Sequence, residues 1–433
     1  MTKHPRRPDG ARALRPAPRP SGRRAAAVRS RALTGPAALA ALAAVSLTAC
    51  SGLLRFAPAT QPPGRPPVRT SAALHRLVAD GAPGAAALVT RPRSAAAFTT
   101  AGVADLRSGR TIRRGDHFRA GSLTKTLVAT VVLQLAAEHR LTLHDSAARH
   151  LPRGVPATGD GGRSDLRRVT IRQLLEHTTG LFNYTDDPRL AYQLFGNGFG
   201  AHRYDHHTPA ELLRTALGHP PVAAPGTRYS YSNTNYLVLG LVIEAVTGHP
   251  YATEIRRRLL VPARLGHTSF PGTDPVLPDP HGRAYTRVGD RRVDATSLDP
   301  SRAGPAGEMV TTLGDLNRFF SALLGGRFLA PRQMAELRDA RPTGGHGLGL
   351  HTTELPCGVT VWGHSGHING SYVRTAATAG GRHVLSYRVN TDAVPAPAPD
   401  KAVLTAEFCA PHQDGPRPPR RTDTGPARHT GDS

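Results

Sequence analysis

From Leu123 to Leu141 the chain is apolar almost all round a helical wheel, with Ser122 and Lys125 at its entrance. A helix without a polar face must be wrapped by other elements. This segment therefore demands a fold with a sizeable enclosed core, which 433 residues can supply. It also carries a conspicuous charge, because lysine occurs only at Lys3, Lys125 and Lys401 among 55 basic residues. Three-residue spacing sets Ser122 and Lys125 side by side on one helical face. The helix start offers free amides and positive potential to the serine oxygen. Leu127, Val128 and Val131 disfavour a charged ammonium and lower the lysine pKa, so that it can accept the serine proton. Without chemistry, the same residues read as a capping serine and an exposed lysine.

Around this segment the pattern alternates. A short helix is expected from Ser71 to about Asp80, then strands at Gly84–Thr90 and Ala95–Ala101 with Pro92 between them. Helical stretches follow at Thr170–His177, Pro209–Leu217, Tyr236–Val246 (capped by Gly248) and Thr312–Leu323. Strand signals return at Gly358–Trp362, Ser371–Ala377 and Val384–Asn390, before a last helix over Lys401–Phe408. Strands at both ends thus bracket a helical middle. The expected fold is α/β: one antiparallel sheet built from both ends and flanked by helices, with an all-helical region inserted. A cleft between sheet and helical region is the natural site.

The formal charge of +24 raises the question of nucleic acid. Much of the excess lies in residues 1–31, which hold Lys3 and nine arginines against Asp9. The remainder has no basic run interleaved with aromatics, so no nucleic-acid partner is expected. The arginine-rich start, the apolar stretch Ala32–Ala49 and the ending Leu47-Thr48-Ala49-Cys50 read as an export signal with a lipobox. Residues 1–50 are then the signal, with Cys50 lipidated. An ordinary cleaved signal is the alternative. Residues 51–70 form a Pro-rich linker, 71–410 the catalytic domain, and 411–433 a disordered tail. Export to the outer face of the membrane suits an oxidising compartment, where Cys357 and Cys409 make an even pair. Joined, they close a loop of about fifty residues, worth about 4 kcal/mol by chain entropy. Two buried free thiols are the other reading.

Two further motifs suit the same chemistry. Tyr231-Ser232-Asn233 follows Pro225-Gly226 and precedes a helix. A phenol beside the serine can relay a proton to a leaving amine, and an amide can hold both lysine and substrate. Alone it would read as an aromatic turn with an Asn cap. His364-Ser365-Gly366 stands at the end of the strand Gly358–Trp362. A strand edge can pair with an extended substrate, Ser365 can bind a carboxylate, and Gly366 permits close approach of the ligand. The amides of Ser122 and His367 would form an oxyanion hole. His429-Thr430-Gly431 repeats the pattern in the tail, with no strand beneath it. His202, His206 and His207 approach ligand spacing without a supporting carboxylate pattern, so no metal is expected. Nor is there a Gly-rich phosphate loop, and no cofactor is expected.

Taken in order, the three motifs resemble those of the serine β-lactamase-like, penicillin-binding family, specifically its D-alanyl-D-alanine carboxypeptidase branch from actinomycetes. That branch is related to class C β-lactamases and esterases. Phe118–Thr126, Val169–Leu181, Pro225–Thr247, Leu265–Pro271, the Cys357 strand and Glu407-Phe408-Cys409 also resemble family segments. The resemblance covers roughly residues 71 to 410. It implies a β-lactamase/transpeptidase-like fold and a monomeric, penicillin-inhibited serine carboxypeptidase that acts on peptidoglycan stem peptides through a Ser122 acyl-enzyme. Lys125 and Tyr231 would be catalytic, and Asn233, His364, Ser365, Gly366, His367 and His351 would bind substrate. The family's esterases and class C β-lactamases are the alternatives, followed by a penicillin-binding sensor that acylates once and stalls. Ser365 stands where the carboxypeptidases often have threonine, and His351 where some have an arginine clamp. Class C enzymes usually have lysine in place of His364.

Overall fold

Alternating side chains of β1 (Gly84–Thr90) leave the strand for two different cores. Ala85, Ala87 and Val89 enter one apolar cluster, while Ala86 and Leu88 enter the other. This period-2 burial on both faces marks a central strand. The protein, here as a computed structural model, is described over residues 68–159, 164–393 and 398–409. The stretch read as an export signal with Cys50, the stretch read as a linker up to residue 67, residue 410 and the stretch 411–433 read as a tail, with His429-Thr430-Gly431, lie outside the described residues.

The remaining strands are β2 (Ala97–Gly102), β3 (Phe118–Arg119), β4 (Tyr285–Val288), β5 (Arg291–Asp294) and β6 (Val310–Thr311), then β7 (His351–Glu354), β8 (Thr360–Ile368), β9 (Ser371–Ala377) and β10 (Val384–Val389). Five of them join β1 in one six-stranded antiparallel sheet, in the order β2-β1-β10-β9-β8-β7, so both ends of the domain build it, as expected. The helices Val68–Ala79 and Ala398–Phe408 share the cluster on one face through Leu74, Leu77, Val403 and Leu404. The first of these helices starts inside the stretch read as linker. The other face packs on the Leu313–Leu324 helix and the helical region. Cys357, between β7 and β8, is bonded to Cys409 with Cα atoms 5.7 Å apart. That link ties the edge hairpin to the end of the last helix.

Two helices form the centre of the inserted region. Thr124–Ala137 is buried from Thr124 to Leu133, and Asn233–Thr247 is buried from Thr234 to Ile243. The first ends four residues earlier than its apolar run, because His139 takes a left-handed φ of 57°. Gly248, at φ 76°, caps the second as expected.

The third motif lies elsewhere than its sequence suggests. The ladder of β8 with β9 runs from Trp362 to Ile368, so His364-Ser365-Gly366 lies inside a strand and not beyond its end. β7 pairs only with Thr360–Gly363. On that side, the edge of β8 from His364 onward has no strand partner among the described residues.

Candidate active site

Both buried helices begin at the same place. A 3-10 turn, Gly121–Leu123, leads into the first, and Tyr231-Ser232 leads into the second. Gly121 has φ 53°, and a Cβ there would lie 2.7 Å from His367 N. Only glycine lets the backbone of β8 sit against the turn that carries Ser122. Gly366 serves the same packing, since a Cβ there would stand 1.8 Å from Ala120 O. Its missing side chain therefore admits the backbone of the protein itself, in place of the ligand expected from sequence.

Lys125 is wholly buried, and burial holds its amine well below the ordinary lysine range. The Nζ lies 2.8 Å from Asn233 Oδ1, 2.7 Å from Ala306 O and 3.1 Å from Ser122 Oγ. A neutral amine has two N–H bonds and one lone pair. The two carbonyl oxygens, which only accept, take the N–H bonds. The lone pair is left for the serine hydroxyl. Tyr231 OH donates to the same Oγ at 2.8 Å, and burial raises its pKa, so the phenol stays protonated.

Each of these groups is held by another. Asn233 Nδ2 donates to Thr185 Oγ1 at 3.4 Å and its backbone N–H to Asn183 Oδ1 at 2.9 Å, which turns its Oδ1 toward the lysine. His177, left-handed at φ 57°, ends the Ile171–Glu176 helix. Its ring stacks 4.4 Å from Tyr231, and its Nδ1 accepts from Ser232 N at 3.2 Å and Asn235 Nδ2 at 3.0 Å. Burial lowers its pKa, so a neutral ring supports the phenol. Sequence reading treated His177 only as a helix end and missed Asn183 and Thr185. Its signal was a histidine where a helix usually stops at glycine.

The opposite wall is aromatic and neutral. His364 and His351 have ring centroids 4.1 Å apart, His346 stands 4.5 Å from His351, and Tyr229 stacks 4.1 Å from His346. Burial pushes His364 down to about 3 and holds His351 well below the imidazole range. Ser365 pairs across the ladder with Arg374. That guanidinium is buried, donates to Thr353 Oγ1 at 3.0 Å and lies 3.4 Å from Asp400. His367 turns its exposed ring outward, with Nε2 2.8 Å from Asp392 O.

Ser122, Tyr231, Asn233, His351, His364, Ser365 and His367 meet at a cleft of about 630 Å³. Phe195, Ile368, Asn369, Asp392, Ala393 and the exposed Arg287 of β4 complete it. A shallower groove of about 990 Å³ runs along the sheet edge by Trp362 and contains none of the motif residues. The cleft that holds Ser122 beside the buried Lys125 is the candidate site. Gly366 lies behind it, against Ala120. The loop histidines lie elsewhere: His202 pairs with Asp205 at 2.7 Å, His206 is 3.8 Å from Asp299, and His207 donates its backbone N–H to Ser301.

Comparison with known proteins finds relatives that share this fold. A D-stereospecific amidohydrolase from Streptomyces sp. superposes with a TM-score of 0.73 at 40% identity, covering 80% of this chain and 99% of that one. Esterase EstB of Burkholderia gladioli is 30% identical over 277 residues, 58% of this chain and 68% of the esterase. A penicillin-binding protein of Bacillus subtilis is 26% identical over 234 residues, 54% of this chain, but the match spans only 53% of that protein. The family described as Beta-lactamase matches residues 70–409. With that match spanning the described fold and Ser122, a buried amine and a phenol meeting on it, the chain belongs to this family of serine hydrolases.

Proposed function

We propose that the protein hydrolyses amide bonds of D-amino-acid substrates through a Ser122 acyl-enzyme. Lys125 accepts the serine proton as Oγ adds to the carbonyl, and the amides of Ser122 and His367 receive the oxyanion. Tyr231 passes a proton to the leaving amine, and water then releases the acid and restores Ser122. Asn233 holds the lysine and the substrate backbone, which lies along the open edge of β8 beside Ser365. The observation that carries this reading is the neutral wall of His351 and His364. A carboxypeptidase must hold a terminal carboxylate, and neutral imidazoles provide no charge for it. The Streptomyces relative, named for D-stereospecific amide hydrolysis, supports the same substrate class.

One observation favours a second reading. Arg287 brings an exposed cation to the rim of the cleft, where it would suit the terminal carboxylate of a D-alanyl-D-alanine stem peptide. In either case we place the enzyme outside the cell, anchored through Cys50, with peptidoglycan as the nearest source of D-residues. The deciding measurement is kcat/KM for a D-amino-acid amide, its L-enantiomer and a D-Ala-D-Ala peptide. The amide reading predicts turnover of the D-amide, at least tenfold slower use of the L-amide, and no preference for the peptide. Preference for the free-carboxylate peptide, lost in Arg287→Ala, would replace it with the carboxypeptidase. A single acylation without product release would leave a sensor.

A further inference from the structure

Three residues before the nucleophile, the chain buries a cation that no carboxylate touches. Arg119 is 3% exposed, and its Nη2 donates to Pro275 O at 2.7 Å and Leu298 O at 3.2 Å. Its Nε and Nη1 meet no acceptor among the described residues. Arg388, on β10 and also 3% exposed, packs its guanidinium 4.9 Å from the Phe118 ring. Its Nε and Nη1 are unpartnered as well. Both arginines line one narrow cavity of about 10 Å³, together with Phe118, Asn369 and Ser371. A buried polar group without a partner calls for an occupant, and a buried charge calls for a counter-charge.

The carboxylates nearby do not supply one. Asp116 acts on Arg388 through space, but it is bonded to Arg110 at 3.1 Å and to the Arg113 backbone at 3.0 Å. Asp274, Asp299 and Glu308 reach Arg119 only through space. Burial accordingly pushes both guanidinium groups down to about 10.

We infer that this cavity binds one small monovalent anion, of chloride size, held between Arg119 and Arg388. Water is the competing occupant. It would accept from the arginines and donate to Asn369 Oδ1, which also lacks a partner, but it would leave two buried cations unneutralised. The anion would brace the base of the nucleophile turn. Ser371 Oγ donates to Arg119 O at 2.8 Å, and Ala120 N to Met309 O at 2.7 Å, just ahead of Gly121 and Ser122.

The test uses the full chain in chloride and in gluconate, an anion too large for the cavity, at equal ionic strength. Tm is expected about 2 °C higher in chloride, with the difference lost in Arg388→Gln. Wild-type crystals grown in bromide should show an anomalous peak between Arg119 and Arg388. If the variant does not fold, the bromide peak decides alone. Equal Tm in the two salts, with no peak or only a water at that position, would overturn the inference.

Discussion

The buried amine of Lys125 is at once the site's chemical resource and a burden on its stability. Its folded pKa lies below the unfolded value of about 10.4. Below that value the unfolded chain binds one more proton than the folded chain, so the lysine destabilises the fold increasingly as pH falls, until its folded pKa is reached. Lys125→Met removes this cost along with the base. We expect the variant to gain stability relative to wild type as pH is lowered from 10 toward 7. Its kcat should fall by about 10²–10⁴-fold. Chemical denaturation at several pH values checks the first claim, and a constant stability gap would mean the amine is charged when folded. At this scale the sequence was legible where a residue was rare for its context, as with a lone lysine in an apolar helix. It was silent where a common residue acts through geometry, as with Asn183 and Thr185.

Elements were legible where side-chain periodicity reports burial. The limits of β1, β9 and the Pro209–Leu217 helix agree with the pattern to the residue. β8 was cut short because Gly363, His364, Ser365 and Gly366 interrupt its apolar alternation, although the ladder to β9 continues through them. The β4–β5 hairpin escaped notice because Arg287, Arg291 and Arg292 are exposed and leave little hydrophobic signal. What the pattern cannot report is one element pressing on another, and that contact builds the site. Gly366→Ala would drive its Cβ into the carbonyl of Ala120. We expect at least about 1–3 kcal/mol of lost stability, with kcat reduced as the Ser122 turn is pushed off β8. Gly200→Ala, on a short helix with open space around it, is the control and should stay within about 0.5 kcal/mol of wild type. Calorimetry on both distinguishes this packing role from a general intolerance of glycine replacement, which would lower both alike.

Across the whole molecule, a sheet drawn from both ends of the domain holds a helical region whose two central helices start at one cleft, the first of them against the strand β8. That topology brings Ser122, Tyr231 and Ser365 together from distant parts of the chain, and the Cys357–Cys409 bond fastens the outer hairpin. The fold class was legible because strand-like runs bracketed a helical middle. The substrate was not, since it depends on which charges the folded cleft exposes and which it neutralises. We expect Ser122, activated by a neutral Lys125, to become acylated. Stopping the reaction with a β-lactam or an activated D-amino-acid ester in acid, weighing the intact protein and then mapping the adduct measures this. One acyl group is expected, on the peptide containing Ser122, formed about 10²–10⁴-fold more slowly in Lys125→Met and absent in Ser122→Ala. An adduct on another residue, or undiminished labelling of Ser122→Ala, would contradict it.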